Sequence, residues 1–279
     1  MKKYLKIAAL IAALGILIGL GWFANAFLGN PVSRLLAKRA LTAYMEETYA
    51  DQDVYVDKFD YDFKSGGYYA HILSKTSQDT EFYIDMDMTG HVVYDHYESW
   101  VLNKYTTESR LYSEYRGLTD PVMEDKRFPY TLDFGGGRLE FWVESPEELE
   151  FGIGMPRNEL VLDKEYDIRE LGAEYGILCI YLMDEEVSVE KAAEMALEIR
   201  RAYDEAGVPF QFLDLTLRYP HDEKYQRKEG HVYCELFYED IYEEGLVQRV
   251  QQSHDAREAY FAKMDEENAK LMEQIAETE

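Results

Sequence analysis

The stretch FDYDFKSGGYYAHILS, residues 59–74, decides how the chain is read. Phe59, Tyr61 and Phe63 alternate with Asp60, Asp62 and Lys64, and a two-residue period puts rings on one face and charges on the other. That is a β-strand with one wet face, as antiparallel sheets have. Ser65-Gly66-Gly67 has the small, left-handed-tolerant residues of a turn, after which YYAHILS returns as a second strand. Downstream, Phe82, Ile84, Met86 and Met88 alternate with Glu81, Tyr83, Asp85 and Asp87, and Thr89-Gly90 turns the chain into HVVYDHY. Upstream, Asn30-Pro31 reads as a helix start, Asn at the cap and Pro at the first helical position. Val32, Leu35, Leu36, Ala40, Ala43 and Tyr44 then share one helical face. A helix followed by an antiparallel meander is one unit.

The same order returns towards the C-terminus. AEYGILCIYL (173–182) reads as a buried strand. A helix from Ser188 turns Val189, Ala192, Ala193, Ala196, Leu197 and Tyr203 inward, and Gly207 with Pro209 ends it. Leu213, Leu215, Leu217 and Tyr219 alternate in the next strand; Val232, Cys234, Leu236 and Tyr238 do so in another, across a polar loop at 221–230. A long helix from about Asp240 carries Leu246, Val247, Val250, Tyr260, Phe261 and Met264. Between the units, a helix is expected from Glu98 to about Tyr115, a boundary at Thr119-Asp120-Pro121 and Arg127-Phe128-Pro129, and short strands at RLEFWV (138–143) and ELVL (159–162). The expected class is α+β: an N-terminal transmembrane helix, two small helix-plus-antiparallel-sheet units and a long C-terminal helix. The expected domains are 1–29, 30–125 and 126–279.

From Ile7 to Leu28 the chain carries no charge, and at 1.5 Å per residue a helix of that length reaches the roughly 30 Å of a hydrocarbon core. Trp22 and Phe23 suit the far interface. Ala24-Asn25-Ala26 has the form of a signal-peptidase site, but the apolar run exceeds a signal h-region, so an uncleaved anchor is favoured. The short basic start with Lys2, Lys3 and Lys6 argues for a cytoplasmic N-terminus and a body outside. The lipid bilayer is therefore the partner expected through residues 7–28, with an envelope protein as the partner of the body. The net charge of −26, from 55 acidic and 29 basic residues, repels nucleic acid and anionic head groups alike.

The sequence nominates no catalytic, cofactor-binding or metal-ligating residue. Asp85-Met-Asp87-Met-Thr89-Gly90 begins like an EF-hand loop, yet position 12 is His96 where a Glu belongs, and the flanks alternate as strands. His71, His91, His96, His221, His231 and His254 have no metal-ligand spacing, and His91 and His96 read as hairpin surface. Gly135-Gly136-Gly137 lacks a P-loop Lys, and Asp133-Phe134-Gly135 stands without other kinase elements, so both read as loop. Cys179 and Cys234 lie in apolar strand-like runs, read as buried thiols, with a single bridge as the alternative.

The exit Gly29-Asn30-Pro31, the Lys/Arg-containing helix after it, FDYDFKSGGYYAHILS and SQDTEFYIDMDMTG (77–90) together resemble the YfjL-like proteins of Gram-positive bacteria, most clearly over residues 1–100. That resemblance implies a topology and no activity. The helix with a meander turning at Thr-Gly is also similar to PepSY-like and cystatin-like modules, which bind or inhibit. Two functions are thus expected: a non-catalytic, extracytoplasmic binding or accessory module, or a hydrolase with carboxylates hidden among the acids. A pocket with two mutually perturbed buried carboxyls would favour the hydrolase.

Overall fold

The computed structural model describes residues 2–220 and 230–276, so all of the expected polar loop but Gly230 lies outside the described residues. The chain is α+β and divides into two compact units, Met1–Thr107 with Leu160–Lys164, and Glu108–Glu159 with Glu165–Glu279.

The first unit opens with α1 (Lys2–Leu28), whose large apolar side chains, from Leu10 to Phe23 and then Phe27 and Leu28, lie exposed. It is long and apolar enough to cross a membrane. The helix runs unbroken through Ala24-Asn25-Ala26. Its end is tied to the unit: Tyr61 Oη donates to the Ala26 carbonyl at 2.9 Å, Asn30 Nδ2 to Asn25 Oδ1 at 2.8 Å, and Phe27 stacks on Phe63. Gly29, at φ +65°, breaks the helix, and the Asn30 side chain caps α2 (Pro31–Thr48) by accepting from Ser33 N at 2.8 Å.

The buried stripe of α2 is Ser33, Ala37 and Leu41, whereas Val32, Leu35 and Leu36, expected inside, are 68%, 51% and 45% exposed. Ser33 fixes that rotation, because its hydroxyl is 2.7 Å from Tyr68 Oη and draws the small-residue face onto the sheet. β1 (Val54–Asp62), β2 (Gly67–Ser74), β3 (Glu81–Met86) and β4 (Val92–Asp95) form the antiparallel meander in chain order. Tyr68, Ala70, Ile72, Phe82, Ile84 and Met86 make its inner face, packed with Ala37, Leu41 and Tyr49. One turn of π-helix, Glu98–Leu102, follows. ELVL is no strand. Leu160–Lys164 instead joins this unit through a reciprocal clamp, Asp163 N to Asp79 Oδ2 at 2.8 Å and Asp79 N to Asp163 Oδ1 at 3.1 Å, while Leu162 packs on the core.

α3 (Tyr105–Glu124) carries the chain into the second unit and continues through Pro121, where the sequence suggested a boundary. Pro121 costs the bond to Gly117. Leu118, Val122 and Met123, packed on the second core, keep the helix going. β5 (Thr131–Leu139) contains Gly135, Gly136 and Gly137, paired with Ile180, Cys179 and Leu178. The triple glycine is therefore strand and not loop. The reason is proximity: a Cβ on Gly137 would stand 2.4 Å from the Thr119 side chain, whose Oγ1 accepts from Gly137 N at 3.0 Å. RLEFWV is split, Arg138 and Leu139 ending β5 and Phe141–Trp142 forming β6, which pairs with β7 (Met155–Pro156).

After α4 (Ile168–Tyr175), a helix the sequence reading passed over, come β8 (Gly176–Met183), α5 (Val189–Ala206), β9 (Phe212–Arg218), β10 (His231–Phe237) and α6 (Leu246–Ala276). The strand order is β10-β9-β8-β5. The outer pairs are antiparallel, but β8 and β9 run parallel, because α5 crosses over between them. Leu178, Ile180, Leu182, Leu213, Leu215, Leu217, Val232, Cys234 and Leu236 face a core shared with α5 and the first turns of α6. Leu246 and Val250 are buried there; Val247, Tyr260 and Met264 are 42%, 52% and 39% exposed, because α6 leaves the core to follow the β10 edge.

Candidate functional site

The other face of the second sheet carries the chemistry. Strand alternation sends Cys179 and Tyr181 of β8, Asp214, Thr216 and Arg218 of β9, and His231, Tyr233 and Glu235 of β10 to that side. The register sets them in rows. Cys179, Asp214 and Glu235 are direct neighbours across three strands, as are Tyr181, Thr216 and Tyr233 in the next row and Arg218 with His231 in the one after. α6 lies along the β10 edge: Ser253 Oγ accepts from Glu235 N at 2.8 Å and His254 Nδ1 from Tyr233 N at 3.5 Å. The outer edge of β10 is thus covered, with α6 taking the Tyr233 and Glu235 amides. From α6, Arg257 and Phe261 reach over the face and close a cavity of about 250 Å³ lined by Tyr181, Asp214, Thr216, Arg218, His231, Tyr233, Glu235, Arg257 and Phe261.

Charge is dense beside it. Arg257 Nη2 donates to Glu150 Oε1 at 2.6 Å, and its Nε stands 3.0 Å from Glu235 Oε1. The charges attract at that distance, but the alignment is not that of a hydrogen bond, so both atoms keep unmade valences. Arg138 Nη2 lies 3.0 Å from Glu140 and 3.4 Å from Glu150. Arg218 pairs with Asp133, its buried Nε left unpartnered. Asp214, 8% exposed, makes no ion pair among the described residues and takes the Cys179 thiol as donor.

These surroundings move the protons. Burial pushes Glu235 up to about 7, with the charges of Asp214 and Glu150 adding to it against the pull of Arg257. Burial likewise raises Asp214. The Cys179 thiol goes up to about 12, through burial and then the Asp214 charge, so it is no nucleophile at neutral pH. Burial would raise Glu150 too, but Arg257 and Arg138 together hold it below the ordinary range. Two adjacent carboxyls, Asp214 buried on β9 and Glu235 part-buried on β10, therefore both hold protons more tightly than usual.

Cys234 is buried on the core face of β10, with β9 between it and Cys179 of β8. Both thiols are free, and two strand spacings of about 4.8 Å are too far to bridge. In the first unit, Asp87 accepts from Thr89 N at 2.8 Å and His91 N at 2.9 Å, so it closes the hairpin turn that EF-hand logic would have given to calcium. Asp85 pairs with His96 at 3.1 Å, and His71 lies between Asp57 and Glu81 at 3.2 and 2.7 Å. His231 meets Glu258 at 3.4 Å, and His221 lies outside the described residues. The strand pattern already placed Asp214, Thr216 and Arg218 opposite Leu213, Leu215 and Leu217. The sequence reading nonetheless missed them as a site, because nothing local marks which strands are neighbours.

The molecule is thus a two-unit α+β protein with a long apolar N-terminal helix and a polar pocket on its second sheet. It matches the YfjL-like N-terminal domain over residues 1–96 and the YfjL-like C-terminal domain over residues 114–251, and the chain belongs to the YfjL-like family. It is also similar to a solved DUF5037 family protein from Ruminococcus gnavus, 13% identical, covering 78% of this chain and 98% of that one at a TM-score of 0.24. A comparison with curated proteins matches none.

Proposed function

We propose that the chain is a single-pass membrane protein whose body lies outside the cytoplasm and acts as a non-catalytic binding or accessory module. Anchoring draws support from α1 and from what surrounds its end. Val32, Leu35, Leu36 and Phe63 are exposed apolar side chains just past Leu28, as a bilayer interface would require. Inside α1, the Ala24-Asn25-Ala26 backbone is helical and hydrogen-bonded, a poor substrate for cleavage. Protease added to intact protoplasts is expected to remove the body. Protection would invert the topology, and release without protease would make Ala26 a cleavage site.

The observation that carries the binding reading is the cavity itself, where the aromatic walls of Tyr181, Tyr233 and Phe261 meet the carboxyls of Asp214 and Glu235 and the guanidiniums of Arg218 and Arg257. A second contact is offered by the far end of α6, where Leu271, Met272 and Ile275 are 54%, 66% and 48% exposed. Cross-linking from Leu271 in living cells is expected to recover an envelope protein; recovery of nothing specific removes that end of the helix from the reading.

The adjacent Asp214 and Glu235 favour a second reading, an extracytoplasmic hydrolase in which the raised Glu235 is the acid. Turnover of a glycoside or ester substrate, abolished by Glu235→Gln, would establish it over the first.

A further inference from the structure

The groove between α3, α4 and α5, at about 650 Å³, is larger, but most of its rim charges are engaged within the protein. Asp125 is held down to about 2 by Arg127, Arg201 pairs with Glu198 and Glu243 at its edge, and Arg169 donates to the Gly207 carbonyl. The aromatic outer face of the first sheet, Tyr69, Tyr83 and Trp100, has its ionisable members paired within itself. The cavity under α6 differs from both.

At about 250 Å³ it falls below the size that drug-like ligands fill, and suits one six-membered ring with its substituents. Its polar lining is of both kinds. Asp214 and Glu235 bring carboxyl groups to the lining and Arg218 and Arg257 bring guanidiniums; Glu235 Oε1 and Arg257 Nε stand 3.0 Å apart in a misaligned pair, and Asp214 has a weak thiol donor as its partner. An ammonium ion would satisfy the carboxyls and leave two guanidinium N–H groups facing a cation. An anion would satisfy the guanidiniums and meet Asp214 and Glu235. No set of three metal-ligating side chains gathers there among the described residues. A hydroxyl both donates and accepts, so several hydroxyls on one small ring meet all four groups at once. Tyr181, Tyr233 and Phe261 supply flat apolar walls for the C–H faces of such a ring, and the Thr216 hydroxyl lies between the two tyrosines.

We infer that the cavity is a saccharide site, taking one neutral pyranose ring between Tyr181, Tyr233 and Phe261, its hydroxyls held by Asp214, Glu235, Arg218 and Arg257. This rests on the binding reading above and names its ligand class. The ring is either a free sugar or the end of a surface glycan, since the cavity reads the ring.

The test uses the full chain in lipid nanodiscs, titrated calorimetrically and by saturation-transfer NMR with glucose, with N-acetylglucosamine and with its short β-linked oligomers. Tetramethylammonium and inorganic phosphate serve as charged probes. The expected result is saturable millimolar binding of a neutral sugar, weakened about tenfold or more by Asp214→Ala and by Tyr233→Ala in variants that keep the wild-type melting profile. Thr216→Val, smaller in its structural effect, is the fallback if either variant misfolds. Tighter binding of oligomers than of monomers would assign the site to a glycan, and equal binding to a free sugar. Absence of saturable sugar binding by folded wild type overturns the inference, as does binding of either charged probe in place of sugar, or sugar binding that all three variants keep. Cleavage of a bound oligomer would keep the site and refute the non-catalytic reading; failure of every sugar to bind would refute the site and leave the accessory reading standing.

Discussion

Glu235→Gln is expected to stabilise the second unit, by an amount set by pH. Glu235 titrates at about 7 in the folded protein against an ordinary 4.5. Its side chain is 17% exposed, so little solvent screening intervenes. A shift of that size is worth roughly 3 kcal/mol between the two protonation states. The direction follows from the proton. The folded state binds it more tightly than the unfolded one, so the contribution is intact below 4.5 and is lost as pH rises through about 7. Gln is a neutral isostere and cannot lose it. The variant should therefore match wild type near about pH 4 and exceed it by roughly 3 kcal/mol above about pH 7, rising steadily between. Arg257 does not cancel the gain, because its attraction already acts in setting the raised value. Urea unfolding of the full chain in nanodiscs, followed by hydrogen exchange in peptides from β9 and β10, measures the difference at the site. A stability difference that stays flat from about pH 5 to about pH 8 would mean that Glu235 ionises like a surface glutamate, and the account of the cavity floor would fall with it.

Gly137→Ala should cost about 2–4 kcal/mol, seen as a lowered melting temperature, because its Cβ would stand 2.4 Å from Thr119 in a helix–strand contact with no room to give. Ser253→Ala leaves the Glu235 amide without its acceptor; exchange at that amide should accelerate and stability fall by about 1–2 kcal/mol, and unchanged exchange would show the β10 edge protected by something else. Calcium titrated into the full chain should give no micromolar heat, since Asp87 already spends its oxygens on Thr89 and His91; a saturable heat that Asp85→Asn removes would restore the loop as a site.

Much of the architecture was legible because it is written in local periods. Alternation in Phe59–Ser74 and Phe82–Met86 gives strands, and the Asn30-Pro31 and Ser188 caps with Gly207 give helix limits, because side-chain direction repeats with a fixed period within one element. The apolar run to Leu28 needed no partner to be read as a helix long enough to cross a bilayer. The errors have one origin. Gly135–Gly137 reads as loop by composition, and its strand character comes from Thr119, sixteen to eighteen residues away, which leaves space for nothing larger at Gly137. The helix expected to end near Tyr115 runs on to Glu124 through Thr119-Asp120-Pro121, because Leu118, Val122 and Met123 pack on the second core. Of the helical face read in α2, Ala40 and Tyr44 pack on the core while Val32, Leu35 and Leu36 lie exposed, because Ser33 meets Tyr68. The pocket is the extreme case. The sequence by itself sends Asp214, Thr216 and Arg218 away from the apolar face of their strand. Only the tertiary structure sets Cys179, Asp214 and Glu235 side by side and brings Arg257 over them, since strand order and the course of α6 are long-range facts. Neighbours are chosen by where the crossover α5 lands, and the two carboxyls hold their protons more tightly only once the chain has placed them in adjacent strands away from water.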